Sequence, residues 1–368
     1  MRSRIWPLLC GAKVRMQQNN NIFKILDDAP GDRHYLDAIE KDLHRQFPFH
    51  EMFVSREGTG QQNLFRVLKA YSIYNPQDGY CQAQGPLAAV LLMQMPAEDA
   101  FWCLVQICEH YIPGYYSQGL EAVKVDGQVL FRLLRKVSPV AYKHLKKNEV
   151  DPLLYMTEWF LCLFTRTLPW VTMLRVWDMF LCEGVKIIFR VALVLLKMTL
   201  GSRDKLKDCQ GLVETLEKLR NIPQRWLQDT LIIHEISELQ ISEGDIERET
   251  SHYLKKGGVC TPFALRLRGA RDLYASSRTP PLSTPSPYPP LLGSPTLAPG
   301  LPSLLVSPPP PDTQQDPRGK PAARSRTFYV RRPSRPPAIP PRGGEGEGRG
   351  GTRRGKRNSV PLSSDTYF

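Results

Sequence analysis

One short stretch joins a carboxylate and a guanidinium at a fixed spacing: Ile39-x-x-Asp42-x-x-Arg45, followed by Gln46-Phe47-Pro48. The pattern predicts a helix over Leu36–Gln46 that Pro48 brings to an end. Asp42 and Arg45, three residues apart, share one face of it, so the carboxylate can hold the guanidinium in a single orientation. Arg45 then stands at the C-terminal edge of the helix, where it can project outward. The plainer alternative is a solvated ion pair whose cation suits the negative end of the helix dipole. A second stretch is Gly79-Tyr80-Cys81-Gln82-Ala83-Gln84-Gly85, just after Tyr74-Asn75-Pro76. A glutamine amide offers both an acceptor and donors, so Gln82 could position a water while bonding a phosphate oxygen. The alternative for Gln82 is a buried amide satisfied by backbone. Gly79 and Gly85 mark places where the backbone must turn or be approached closely.

A third block runs from Leu153 through Trp159, Phe160 and Phe164 to Leu174-Arg175-Val176-Trp177-Asp178-Met179-Phe180 and Glu183-Gly184. Aromatic residues at helical spacing read as core, with Trp159 and Trp177 inside it. Arg175 and Asp178 read as a structural pair tying helices together.

The elements that must position these residues are helices. From residue 1 to about 256, apolar residues recur at three- and four-residue intervals and long alternating β-branched runs are missing. Leu64, Val67, Leu68 and Tyr71 form one such face; Phe101, Leu104, Val105 and Cys108 form another; Phe189, Ala192, Leu193 and Leu196 form a third. Breaks are expected at Asn75-Pro76, Pro113-Gly114, Ser138-Pro139 and Asn221-Ile222-Pro223. An all-helical body of this length can bury a sizeable core without disulfides.

Composition divides the 368 residues near Gly258. Before that point 32 Lys and Arg face 30 Asp and Glu; after it 17 face 6. The basic character therefore belongs to a tail, and the neutral body does not read as a nucleic-acid binder. Eight cysteines lie mostly in apolar segments without the spacing of a zinc site, which points to reduced thiols, a cytosolic setting and no metal. The apolar start Ile5–Ala12 meets Lys13 and Arg15 at once and reads as a helix rather than a signal peptide. No stretch reaches the ~20 apolar residues of a membrane span.

Residues 257–368 hold 22 of the 33 prolines. Such a segment cannot bury enough apolar surface to offset the entropy of ordering, so a disordered tail is expected. Within it, Pro337, Pro340 and Arg342 fit a PxxPxR ligand of SH3 domains. The terminal Thr366 and Phe368 fit a strand that adds to a PDZ domain, and Ser359 after a basic run is a candidate phosphorylation site.

The three ordered blocks, Ile39/Asp42/Arg45, Tyr80-Cys81-Gln82 and Trp159 to Gly184, resemble the signature motifs of the TBC domain of Rab GTPase-activating proteins. Trp6-x-x-Leu9-x-Gly11 resembles the opening helix of that domain, so the likeness covers roughly residues 1–250. It is greatest to the subgroup containing carabin and the ezrin-scaffold interactor EPI. The resemblance implies an all-α, multi-helix TBC domain over 1–256 and a disordered proline-rich basic tail over 257–368. It also implies a chain that activates Rab-family GTPases in trans, without being a GTPase, and so regulates membrane traffic. Arg45 and Gln82 would be the two catalytic fingers, with Asp42 orienting Arg45. Tyr80 and Cys81 would shape the loop, Tyr80 being a candidate contact to the GTPase. GTP and Mg²⁺ would belong to the partner, and the chain would carry no cofactor of its own. The tail would recruit it to the plasma-membrane cortex. A non-catalytic scaffold, or a signalling inhibitor acting through the tail, is the alternative. Two departures stand out: Ala83 replaces the glycine of many relatives, and the chain opens at Met1-Arg2 without the residues that usually precede that arginine, which shortens the first helix.

Overall fold

A computed structural model of the chain describes residues 1–256 other than Glu57. The expected tail lies outside the described residues, and with it Pro337, Pro340, Arg342, Ser359, Thr366 and Phe368. The described body is built from fifteen α-helices, with no strand among the described residues.

Breaks fall where backbone chemistry demands them. The Thr59–Tyr74 helix stops at Asn75, ahead of Pro76. Ser138 ends the Glu121–Val137 helix and caps the next, its hydroxyl accepting the Ala141 N–H, with Pro139 in the first turn where its missing N–H costs nothing. The three expected apolar faces are buried throughout. Two helices are covered on nearly every side: all nine residues of Gln84–Leu92 and most of Lys186–Leu200. A helix apolar all round needs neighbours all round. The Thr59–Tyr74 helix supplies one wall, packing against Ile22–Asp28, Arg33–Leu43, Gln84–Leu92 and Ala97–Gln106.

The helix carrying Asp42 differs from expectation. It runs from Arg33 to Leu43, its N-terminus capped by Asp32 accepting the His34 N–H at 2.8 Å. Regular bonding stops three residues before Gln46. The Arg45 and Gln46 N–H groups reach back to the Asp42 and Leu43 carbonyls at 3.3 and 3.2 Å, and Phe47 takes φ +46°. Pro48 disfavours helical backbone at Phe47, and the chain tightens a turn before it. Arg45 therefore leaves from a turn beyond the helix.

Trp159 and Trp177 are buried, as expected. Trp177 also donates its indole N–H to the Leu163 carbonyl at 3.0 Å. Leu163 and Phe164 sit consecutively at φ +46° and +61°, in the left-handed region that side chains rarely adopt. The tryptophan thus pins a strained turn between the Leu153–Leu161 and Trp170–Glu183 helices.

The expected Arg175–Asp178 pair is corrected. Asp178 accepts Arg2 Nε at 2.9 Å, Arg2 Nη2 at 2.8 Å and Trp6 Nε1 at 2.7 Å, tying the Arg2–Leu9 helix to Trp170–Glu183. Arg175 instead meets Asp229 at 2.9 Å at the start of the Asp229–Glu238 helix. Each finds a better-placed partner on a neighbouring helix, so both tie helices together without touching each other. Asp178→Ala should lower the melting temperature measurably, because it strands the buried Trp6 N–H, a loss of about 1–3 kcal/mol. Arg175→Ala, at a solvated pair, should shift it far less. Equal shifts in calorimetry would show that Asp178 does not hold the first helix.

Candidate functional site

Asp42 is only 7% exposed and sits at the last turn of the Arg33–Leu43 helix. One carboxylate oxygen accepts from Arg45 Nη2, and the other accepts the Tyr80 hydroxyl at 2.8 Å. The Arg45 side chain stays exposed. This is not a solvated ion pair: the anion is buried and held from two sides, while the cation faces solvent. Burial, and after it the bond to Asp42, pushes the Tyr80 hydroxyl far above its ordinary pKa, so it remains a donor at any physiological pH.

Tyr80 reaches Asp42 because the preceding turn is rigid. Gly79 N–H bonds the Asn75 carbonyl at 2.9 Å, and the Asn75 amide bonds Asp78 at 3.1 Å. Tyr71 donates its hydroxyl to the same Asp78 oxygen at 3.2 Å. Burial raises the Asp78 pKa, and these two donors partly oppose the rise. Gly79 takes φ +58°, and a Cβ there would lie 2.2 Å from the Tyr35 ring. Gly79 is therefore required on two independent grounds.

Beyond Tyr80 the backbone turns into the Gln84–Leu92 helix. Gln84 N–H bonds the Cys81 carbonyl at 2.9 Å, Gly85 N–H bonds the Gln82 carbonyl at 3.2 Å, and the Gln84 side-chain carbonyl accepts the Cys81 N–H at 3.1 Å. The buried amide in this segment is thus Gln84, its carbonyl bonded to backbone and its NH2 left without a partner among the described residues, whereas Gln82 is exposed. Burial also raises the Cys81 thiol above its ordinary pKa, which leaves it a protonated, half-buried wall of the loop rather than a nucleophile.

Sequence reading missed two residues that belong to the site. Gln46 is 1% exposed; its amide donates to the Asp42 carbonyl at 3.3 Å and accepts from Arg166 Nη2 at 3.3 Å. Its position beside Arg45 was a usable signal. Arg166 is 120 residues away in sequence and offered none. Two residues along the chain from Arg45, Phe47 meets Trp170 edge-on at 6.4 Å, and the neighbouring Phe49, 83% exposed, and Val171 stand open. Among the described residues no group of three or more His, Cys, Asp and Glu could hold a metal ion, and no helix is long and apolar enough to cross a membrane.

The family model of the Rab-GTPase-TBC domain matches residues 1–203, which contain every residue of this site. This chain belongs to the Rab-GTPase-TBC domain family. Human TBC1 domain family member 10B is 55% identical to it over 318 residues, covering 84% of this chain and 39% of that protein. Mouse Carabin is 46% identical over 335 residues, 89% of this chain and 72% of Carabin. The crystal structure of the Chlamydomonas flagellar RabGAP TBC domain matches with a TM-score of 0.56 at 28% identity, over 65% of this chain and 79% of that one. The chain spans well under half the length of the human relative. Within this TBC domain, the Asp42–Arg45 turn and the Tyr80–Gln82 loop come from segments 38 residues apart and are joined through one buried carboxylate.

Proposed function

We propose that this TBC domain accelerates GTP hydrolysis by a Rab-family GTPase, with Arg45 and Gln82 completing the partner's active site. The observation that carries the reading is the exposed Arg45 guanidinium fixed on a buried Asp42 whose other partner, Tyr80, stands two residues along the chain from the exposed Gln82. The family match and the RabGAP description of the Chlamydomonas domain support the choice of partner class.

Phosphoryl transfer to water passes through a loose transition state with charge spread over phosphate oxygens, so positioning and charge stabilisation are what a protein can add. Arg45, held in one orientation, would meet that charge with a planar fork at little entropic cost. The Gln82 amide would accept a hydrogen bond from the attacking water and donate to a phosphate oxygen. Asp42 and Tyr80 would not touch the nucleotide; they fix the guanidinium and the loop. GTP and Mg²⁺ are the partner's, and the chain needs no cofactor of its own.

The apolar rim at Phe49 and Val171 would dock the GTPase beside its nucleotide. Phe49→Ala should raise the KM for Rab·GTP several-fold and leave kcat largely intact, since it removes binding shared by ground and transition states. A fall in kcat with unchanged KM would place Phe49 among the catalytic groups instead. The reading as a whole is tested by single-turnover GTP hydrolysis with a panel of purified Rabs. Stimulation of at least one member is expected; binding without stimulation across the panel would favour a scaffold.

The tail completes the proposal. Thr366 and Phe368 would engage a PDZ scaffold, and Pro337, Pro340 and Arg342 an SH3 domain, drawing a cytosolic protein to the membrane cortex and raising its effective concentration near membrane-anchored Rabs in vesicle traffic.

A further inference from the structure

We propose that Gln46 is a positioning residue that sets the placement of the two fingers relative to each other, an inference that rests on the activating function above. Its buried amide joins three segments that are remote in sequence. Nε2 donates to the carbonyl of Asp42, the residue whose side chain holds Arg45. Oε1 accepts from Arg166, which follows the strained turn pinned by Trp177. The same amide lies against Gly85: a Cβ there would stand 3.0 Å from Gln46 Nε2 and 3.1 Å from Cδ. Gly85 N–H in turn bonds the carbonyl of Gln82. One side chain thus touches the backbone behind Arg45 and the backbone one turn beyond Gln82.

Neither finger is braced by its own side-chain burial, because both are exposed. Their separation is therefore set by the backbone behind them. The Arg33–Leu43 helix ends before Arg45, and the Asp42 carbonyl, which accepts the Arg45 backbone N–H, takes a second donor from Gln46. Gly85 has ordinary helical backbone and no positive φ; its lack of a side chain serves the close approach of Gln46.

A positioning role differs from a packing role in what it changes. Misplacing catalytic groups by about 1 Å can cost on the order of 10²-fold in rate while the docking surface is preserved. Gln46→Met keeps the volume and loses both hydrogen bonds. It should lower the stimulated kcat of the full chain about 10- to 100-fold and change the KM for Rab·GTP less than about threefold, with the melting temperature near wild type. Gly85→Ala should give the same kinetic signature by pushing Gln46 aside. In a Gln46→Ala background, where the space is open, adding Gly85→Ala should cost little more, because residues in contact do not contribute independently.

The experiment uses a Rab·GTP that the wild-type chain stimulates, with Arg45→Ala alongside. If the wild type stimulates, Arg45→Ala does not, and Gln46→Met matches wild type, the positioning role is overturned and the finger reading stands. Additive losses from Gln46→Ala and Gly85→Ala would also overturn it. A wild-type chain without stimulation, or an Arg45→Ala variant as active as wild type, would remove the finger reading and this inference together.

Discussion

Arg45→Ala and Arg45→Lys should each lower the stimulated GTP hydrolysis of a partner Rab by at least ~10²-fold, because an arginine supplied in trans is worth roughly 10³–10⁵ in rate. Lysine keeps the charge and loses the planar fork, so it cannot bond Asp42 and the phosphate in the same geometry. The fold should survive both changes: the guanidinium is exposed, and Asp42 retains its bond from the Tyr80 hydroxyl. Gln82→Ala, at another exposed side chain, should behave alike. The two losses differ in kind, one of charge and one of water positioning, and neither should alter the melting temperature. Stimulated rates near wild type for both variants, on a Rab that the unmodified chain stimulates, would rule out the two-finger mechanism.

The second large effect is on stability. Trp177→Ala should cost about 3–5 kcal/mol, enough to unfold a domain of ordinary stability. Trp177 is fully buried, its ring lies 5.5 Å from that of Trp6, and its N–H holds the Leu163 carbonyl. Trp177→Phe separates the contributions. It keeps most of the apolar contact and leaves a buried carbonyl in a left-handed turn without its donor, an expected cost of about 1–3 kcal/mol. Chemical denaturation of the three proteins checks this. A soluble Trp177→Ala variant with an unchanged unfolding midpoint would show that the residue is not part of the core.

The proposed roles also account for the spread of sensitivities expected across the site. Gly79→Ala should be damaging although glycine carries no chemistry, because its positive φ and the Tyr35 ring leave no room for a Cβ. Phe49→Ala should be mild in kcat although Phe49 lies four residues from Arg45 in the chain, since it adds affinity and no charge. Distance along the chain from Arg45 is therefore a poor guide to effect; what matters is which backbone segment a residue braces.

Much of this protein was legible in its residues alone. Apolar positions three and four apart set out the helices, since that spacing places them on one face of a helix, and proline or asparagine marked their ends because of what those residues do to the backbone. The Asp42–Arg45 register and the Gly79–Gly85 segment were visible for the same reason: both are local patterns. Tertiary structure decided the partners. Asp42 receives Tyr80 from 38 residues away, Gln46 receives Arg166 from 120, and Asp178 receives Trp6 from 172. A hydrogen bond depends on where two atoms meet in space, and side-chain type restricts that meeting only loosely. Hence Arg175 and Asp178, adjacent by helical spacing, part to separate helices, while Gln82 and Gln84, alike in type and two residues apart, divide into an exposed side chain and a buried brace. Which glutamine faces solvent is settled by the turn into the Gln84–Leu92 helix, which carries Gln84 inward with the core and leaves Gln82 outside.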